Sequence, residues 1–231
     1  HVDTGLGLER ITRVIQGKRS NYDTDIFTPL FAKIQEITGA APYAGDLNDP
    51  KDVAYRVIAD HIRALVFAMT DGADPSNEGR GYVLRRILRR AVRHGRQTLG
   101  ASGPFLCELA PTLIEQMGEF FPELKKNPQR VIDVIREEEE AFGRTLDRGI
   151  ELFQKSATSG AVSADDAFKL HDTYGFPIDL TQIMAEERGL TVDVEGFERL
   201  MEEARERSRA GAGGGAGDTV GNLTTDAVAS L

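Results

Sequence analysis

Apolar residues recur along most of this chain three and four positions apart, the period of helices with one buried face. Leu8, Ile11, Val14 and Ile15 share a face over residues 8–17, with Gly17 as the stop. Phe27, Leu30, Phe31, Ile34 and Ile37 do the same over Ile26–Thr38, and Val53, Val57, Ile58, Ile62, Leu65 and Val66 over Asp52–Thr70. The pattern predicts further helices over Tyr82–Arg93, halted by Gly95, and over Pro104–Gly118, Gln129–Ser156, Ser163–Leu170, Asp179–Arg188 and Val194–Arg209. Ser163 is placed to cap its helix. Gln129–Ser156 carries the stripe Val131, Ile135, Phe142, Leu146, Ile150 and Phe153, and its Glu137–Glu140 run reads as a solvated face.

Ser20–Asp25 reads as a turn, Gly39–Pro50 and Asp71–Gly81 as loops, and Pro122–Pro128 and His171–Pro177 as breaks. Residues 2–8 are the one segment that reads as a short strand, and 210–217, built only of Ala and Gly, as a flexible linker. The fold class is therefore mainly α with a small β remnant at the N-terminus. The chain has 231 residues, 40% of them apolar, enough for a sizeable core. With 37 acids against 28 bases the formal charge is −9, so any nucleic-acid contact must be local. The single cysteine, Cys107, excludes an internal disulfide and fits a reducing compartment. No apolar run reaches the ~18 residues of a membrane span.

Two segments carry chemistry. In Asp3-Thr4-Gly5-Leu6-Gly7-Leu8-Glu9-Arg10, two glycines allow close approach of backbone to a ligand, and Arg10 lies where a guanidinium forks onto phosphate oxygens. Asp3 suits an ammonium group. The segment is neither a phosphate-binding Gly-Lys-Ser/Thr loop nor a dinucleotide fingerprint, and a tight turn with a surface arginine is the bland alternative. The second segment holds seven arginines and no acid between Arg80 and Arg96. Arg85, Arg86, Arg89, Arg90 and Arg93 fall on one helical face. They read as contacts to a phosphate backbone or as an internal network with the chain's glutamates. Asn77, in the loop ahead of them, has the donor and acceptor needed at a base edge.

Four blocks resemble the alanyl branch of the class II aminoacyl-tRNA synthetases: His1–Arg10 (motif 3 of the class), Arg56–Arg63, Pro75–Gly95 and Leu170–Thr181. They fall in family order over residues 1–209. The resemblance implies the C-terminal remnant of an α/β catalytic domain over 1–40, a helical tRNA-recognition domain over 41–209, the linker 210–217, and the start of a further domain over 218–231. It implies alanine activation with Mg-ATP and transfer of the alanyl group to tRNA. Gly5, Gly7 and Arg10 would contact ATP, and Asp3 and Gly5 alanine. Asn77 and Asp172 would read a G·U pair in the acceptor stem, with Arg80, Arg85, Arg86, Arg89 and Arg93 on the tRNA; Asp179, in the same block, is the alternative carboxylate. The shallow minor groove of A-form RNA suits such a pair.

Motifs 1 and 2 would precede His1, so the segment alone is expected to be inactive. Zinc belongs to an editing domain beyond the linker. Within this chain His1, His61, His94 and His171 are too far apart in sequence to predict a metal site. His61 reads as a core residue and His94 as part of the basic face. Expected partners are ATP, alanine and the tRNA acceptor stem, with no DNA and no membrane, in the cytoplasm. A free-standing RNA-binding or regulatory module, and a helical domain whose arginines are only structural, are the other readings. Separation from the sheet of the catalytic domain would expose the apolar faces of residues 6–37.

Overall fold

The computed structural model describes residues 5–156 and 160–213. Nine α-helices are described: α1 (Leu8–Ile15), α2 (Thr28–Thr38), α3 (Pro50–Thr70), α4 (Gly79–Gln97), α5 (Ala110–Met117), α6 (Pro128–Ser156), α7 (Ala164–Tyr174), α8 (Ile178–Glu186) and α9 (Val194–Gly213). Residues 2–4 of the expected N-terminal strand lie outside the described residues, and residues 5–7 have no regular structure. The described strands are instead β1 (Ala161–Val162) and β2 (Thr191–Val192), paired in parallel with Ala161 opposite Thr191. Two residues are too short for alternation to show in a sequence, and this ladder joins the α6–α7 connection to the α8–α9 connection.

Local chemistry fixes the ends of the central helices. Pro50 opens α3, and the Asp49 side chain accepts from the Lys51 N–H at 3.0 Å. One turn on, the fully buried Asp52 carboxylate accepts from the backbone N–H of Asp46 at 2.7 Å and from Lys51 Nζ at 2.6 Å. Buried Arg56 donates to the carbonyls of Asp46 and Leu47 at 2.8 and 2.9 Å. The Gly39–Pro50 loop is thus held by charges that the helix beside it buries. Phe27, Phe31, Tyr43 and Tyr55 form one aromatic cluster, with Phe31 stacked on Phe27 and edge to face with Tyr55.

α3 packs against α4, and α6 against both α4 and α7. α4 does not stop at Gly95. A Cβ there would lie 2.0 Å from Phe105 Cζ, so the glycine lets the Phe105 ring rest on a continuous helix. The Glu137–Glu140 run is divided by helical rotation rather than solvated as a whole. Glu137 and Glu140 are exposed, Glu138 is half-buried and Glu139 is fully buried. Glu139 accepts from the backbone N–H groups of Phe105, Leu106 and Cys107 at 2.7–3.3 Å and caps the 3-10 turn Leu106–Leu109 that leads into α5.

α7 begins at its Ser163 cap, which accepts from the Asp166 N–H at 3.2 Å. It runs one turn beyond Leu170 to a left-handed Gly175 (φ 68°). α9 continues through residues 210–213, which the composition assigned to a linker. Extending an existing helix adds a backbone hydrogen bond per residue without a new nucleation step. Residues 214–217 of that linker lie outside the described residues. The apolar faces of residues 6–37 divide in two: Leu6, Leu8, Val14 and Ile15 are 50–79% exposed, whereas Phe27, Leu30, Phe31 and Ile34 lie in the core.

Candidate functional site

Two regions carry the chemistry-bearing residues. In the first, the arm of residues 5–15, Glu9 anchors α1 to the body: Arg63 Nη2 donates to its carboxylate at 2.6 Å, and the same guanidinium lies over the Phe27 ring at 4.8 Å. The Arg63 hydrogen bond holds the Glu9 carboxyl below the usual carboxylate range. Arg10, next in sequence, turns to solvent. A Cβ on Gly7 would sit 3.5 Å from Arg10 Cδ, and a Cβ on Gly5 would meet nothing within 4 Å. Gly7 has an ordinary extended conformation (φ −71°), so open space over the backbone, and not a strained turn, is what these glycines supply. An exposed guanidinium beside uncovered backbone fits an anionic phosphate chain. Asp3 lies outside the described residues.

The second region is the seam where α4 meets α6, α7 and α8. Three of the five arginines expected on phosphate turn inward. Arg85 Nε donates to Glu138 Oε2 at 3.0 Å, its Nη2 donates to Glu138 Oε1, and its Nη1 donates to Asn77 Oδ1. Arg89 donates to the carbonyl of Gly175, lies 3.9 Å from Glu138 Oε2 and covers the Phe142 ring at 5.2 Å. Arg93, whose side chain is 8% exposed, donates to Gln97 Oε1 at 2.6 Å and to Glu187. The internal-network alternative thus describes Arg85, Arg89 and Arg93, because α6, α7 and α8 present oxygens on the covered side of α4. Arg80 is exposed, and Arg86, 42% exposed, pairs with Asp179 at 3.2 Å.

His94 is not on a basic face. It is buried, and burial with Arg93 and Arg90 nearby pushes its pKa down to about 4. His61 opposite is lowered to about 4 by burial, then by Arg90 and His94, and its Nε2 has no partner.

Beside the seam opens a cleft of about 920 Å³. Its lining includes Asn77, Glu78 and Tyr82, His171 and Ile178, and Phe197, Met201, Arg205 and Arg209 of α9. Asn77 therefore lines the cleft, whereas Asp172, the exposed residue following His171, is not among the lining residues. Asp179 follows Ile178, but it is half-buried and committed to Arg86, and burial raises its carboxyl above the usual range. The sequence gives no sign of the α9 wall, since helical spacing places Phe197 and Met201 on one face but not what that face meets. Nor does it show the role of Glu138, whose partner Arg85 lies 53 positions away.

The model of the family described as "tRNA synthetases class II (A)" matches residues 1–228. Among curated relatives, alanine–tRNA ligase of Chlorobium phaeobacteroides is 59% identical over 90% of this chain and 24% of its own length. The Schizosaccharomyces pombe alanine–tRNA ligase is 50% identical over 100% of the chain and 25% of its own length. The mitochondrial alanine–tRNA ligase of Saccharomyces cerevisiae is 51% identical over 91% and 23%. The chain spans about a quarter of the length of these relatives. With the family model matched almost end to end, and with an arginine-bearing glycine arm and a helical body carrying its ordered motifs, the chain belongs to the class II tRNA synthetases of the alanine group.

Proposed function

We propose that this chain is the central part of an alanine–tRNA ligase, in which the arm serves alanine activation and the cleft serves tRNA recognition. The observation that carries the reading is the pairing of an unoccluded Arg10 over open glycine backbone with a separate groove that Asn77 lines. In the first step the alanine carboxylate attacks the ATP α-phosphorus and pyrophosphate leaves. Arg10 holds the γ-phosphate of ATP, which Mg2+ accompanies, and its fixed charge offsets the negative charge carried away on the leaving group. Gly5 and Gly7 let nucleotide and alanine lie against the backbone, and Asp3 takes the alanine ammonium group. A hydroxyl at the 3′ end of tRNA then attacks the alanyl carbonyl of the adenylate, losing its proton, and AMP leaves.

At the cleft, Asn77 and Asp172 face the minor groove of the acceptor stem at a G·U pair, and Arg80 and Arg86 hold flanking phosphates. Arg85, Arg89 and Arg93 serve this surface from within, as its frame. Residues 1–40 finish the catalytic domain and 41–209 form the recognition domain; the activity belongs to the intact ligase and not to this segment alone. No described helix is long and apolar enough to cross a membrane, and cytoplasmic tRNA charging is the setting of this reading. The test is alanine-dependent ATP–pyrophosphate exchange by the intact protein, followed by charging of a tRNA carrying the wobble pair. Exchange that responds to alanine above other amino acids is expected; exchange with no alanine dependence overturns the reading.

A further inference from the structure

We infer that Glu138 is the positioning residue that sets which atom of Asn77 faces the cleft, acting through Arg85. The inference rests on the proposed reading of the cleft as the acceptor-stem groove. Its geometric basis is one half-buried carboxylate shared by two arginines. Glu138 takes Arg85 with both oxygens, which fixes the plane of that guanidinium. The third nitrogen, Nη1, is then aimed at Asn77 Oδ1. An amide whose oxygen is engaged from behind presents its Nδ2 donors forward.

Arg89, the second arginine at Glu138, holds the Gly175 carbonyl at the C-terminal end of α7. Thr145, two helical turns along α6 from Glu138, donates to the Tyr174 carbonyl at 2.8 Å. The end of α7 that carries Asp172 is therefore tied to the same stretch of α6. Gly175 is left-handed (φ 68°), and a Cβ there would lie 2.9 Å from Arg89 Nη1, so a side chain would have to displace that guanidinium.

The consequence is a polarity for the site. In a minor groove the base edges offer acceptors (purine N3, pyrimidine O2) and one donor, the guanine amino group. A forward-facing Asn77 amide donor with an Asp172 carboxylate acceptor complements a guanine-containing pair in one orientation. An Asn77 free to turn over offers a carbonyl oxygen as readily, and the site loses its sense.

The experiment uses the full-length ligase and two tRNA transcripts, one with the wobble pair and one with a Watson–Crick pair at the same position. Discrimination is the ratio of their kcat/KM values. Glu138→Gln keeps the shape of the side chain but gives up the charge and one acceptor oxygen. It is expected to lower discrimination about five- to tenfold, mostly through the wobble tRNA. Arg85→Lys is expected to do the same, since a single ammonium cannot span Glu138 and Asn77. Combined with Asn77→Ala, Glu138→Gln is expected to add no further loss, because both act through one amide.

If Asn77→Ala abolishes discrimination while Glu138→Gln and Arg85→Lys leave it intact, the positioning role is overturned and the reading of the cleft stands. Equal losses for both tRNAs, or additive losses in the double variant, also overturn it, since those mark general damage to the fold. If Asn77→Ala itself leaves discrimination unchanged, the reading of the cleft fails and the inference falls with it.

Discussion

The arm of residues 5–15 and the α4–α6 seam both carry arginines for which the sequence offers a phosphate contact or a bland alternative, and they dispose of them in opposite ways. Arg10 turns to solvent over bare glycine backbone, with uncovered Leu6, Leu8, Val14 and Ile15 around it. Arg85, Arg89 and Arg93 are spent on Glu138, Gly175, Glu187 and Asn77. A buried guanidinium held by its own protein's oxygens is lost to a ligand, whereas an exposed one, alone or in a weak surface pair, stays available. The arm is built to contact something, whereas most of the seam is built to hold something else in place.

The sharpest division between the two regions is in stability. Glu139→Ala strips the acceptor from three buried backbone N–H groups, each costing about 1–3 kcal/mol when left unpaired, so the body is expected to lose about 3–5 kcal/mol. Denaturant unfolding, with hydrogen exchange at residues 105–107, reads the loss; Glu9→Ala in the arm should cost less than about 1 kcal/mol. Next in size is Arg10→Ala. It should slow ATP–pyrophosphate exchange by about a hundredfold in the intact ligase, as expected for loss of one preorganised charge contact. Its melting temperature should not move, and a fall there would place Arg10 with the structural arginines.

A third contrast is between glycines. Gly95→Ala forces a methyl group into the Phe105 ring and should destabilise by about 1–3 kcal/mol. Gly5→Ala, facing open space, should leave thermal stability within about 0.5 kcal/mol of the parent and instead raise the KM for ATP or alanine. The smallest effect per unit is the pH dependence of the body. His61 and His94 have folded pKa values near 4, below the 6.5 of an unfolded histidine. Between those values the unfolded chain binds more protons, so their contribution weakens stability as pH falls from about 6.5 to 4. The slope is at most about 1.4 kcal/mol per pH unit for each histidine. Unfolding titrations of the parent and of His94→Gln should differ in slope only in that window.

The helices of the body were legible because their burial repeats along each one: Val131, Ile135, Phe142, Leu146 and Phe153 are the stripe of α6 both in the pattern and in the core. What a helix face meets was not legible. Leu8, Ile11 and Ile15 are spaced like Phe27, Leu30 and Ile34, yet the first three are exposed and the second three buried. The same limit governed charge. The four glutamates 137–140 look alike in sequence, but a rotation of about 100° per residue sends Glu139 into the core, Glu138 to Arg85 and Arg89, and the other two into water. Gly95 read as a stop because its neighbour in space, Phe105, was invisible along the chain. Gly5, Gly7, Arg10, Asn77 and Asp172 are candidates that local spacing and resemblance pick out. The α9 wall of the cleft and the Glu138 link are not picked out that way, because they exist only through contacts between distant segments.

The account turns on Asn77 standing at a groove that receives an RNA stem. The most direct measurement is charging of the wobble and Watson–Crick tRNAs by full-length parent ligase and Asn77→Ala. Loss of a base-edge contact predicts that discrimination between them falls by about 1–3 kcal/mol in transition-state terms, with alanine activation retained. An unchanged ratio would contradict it.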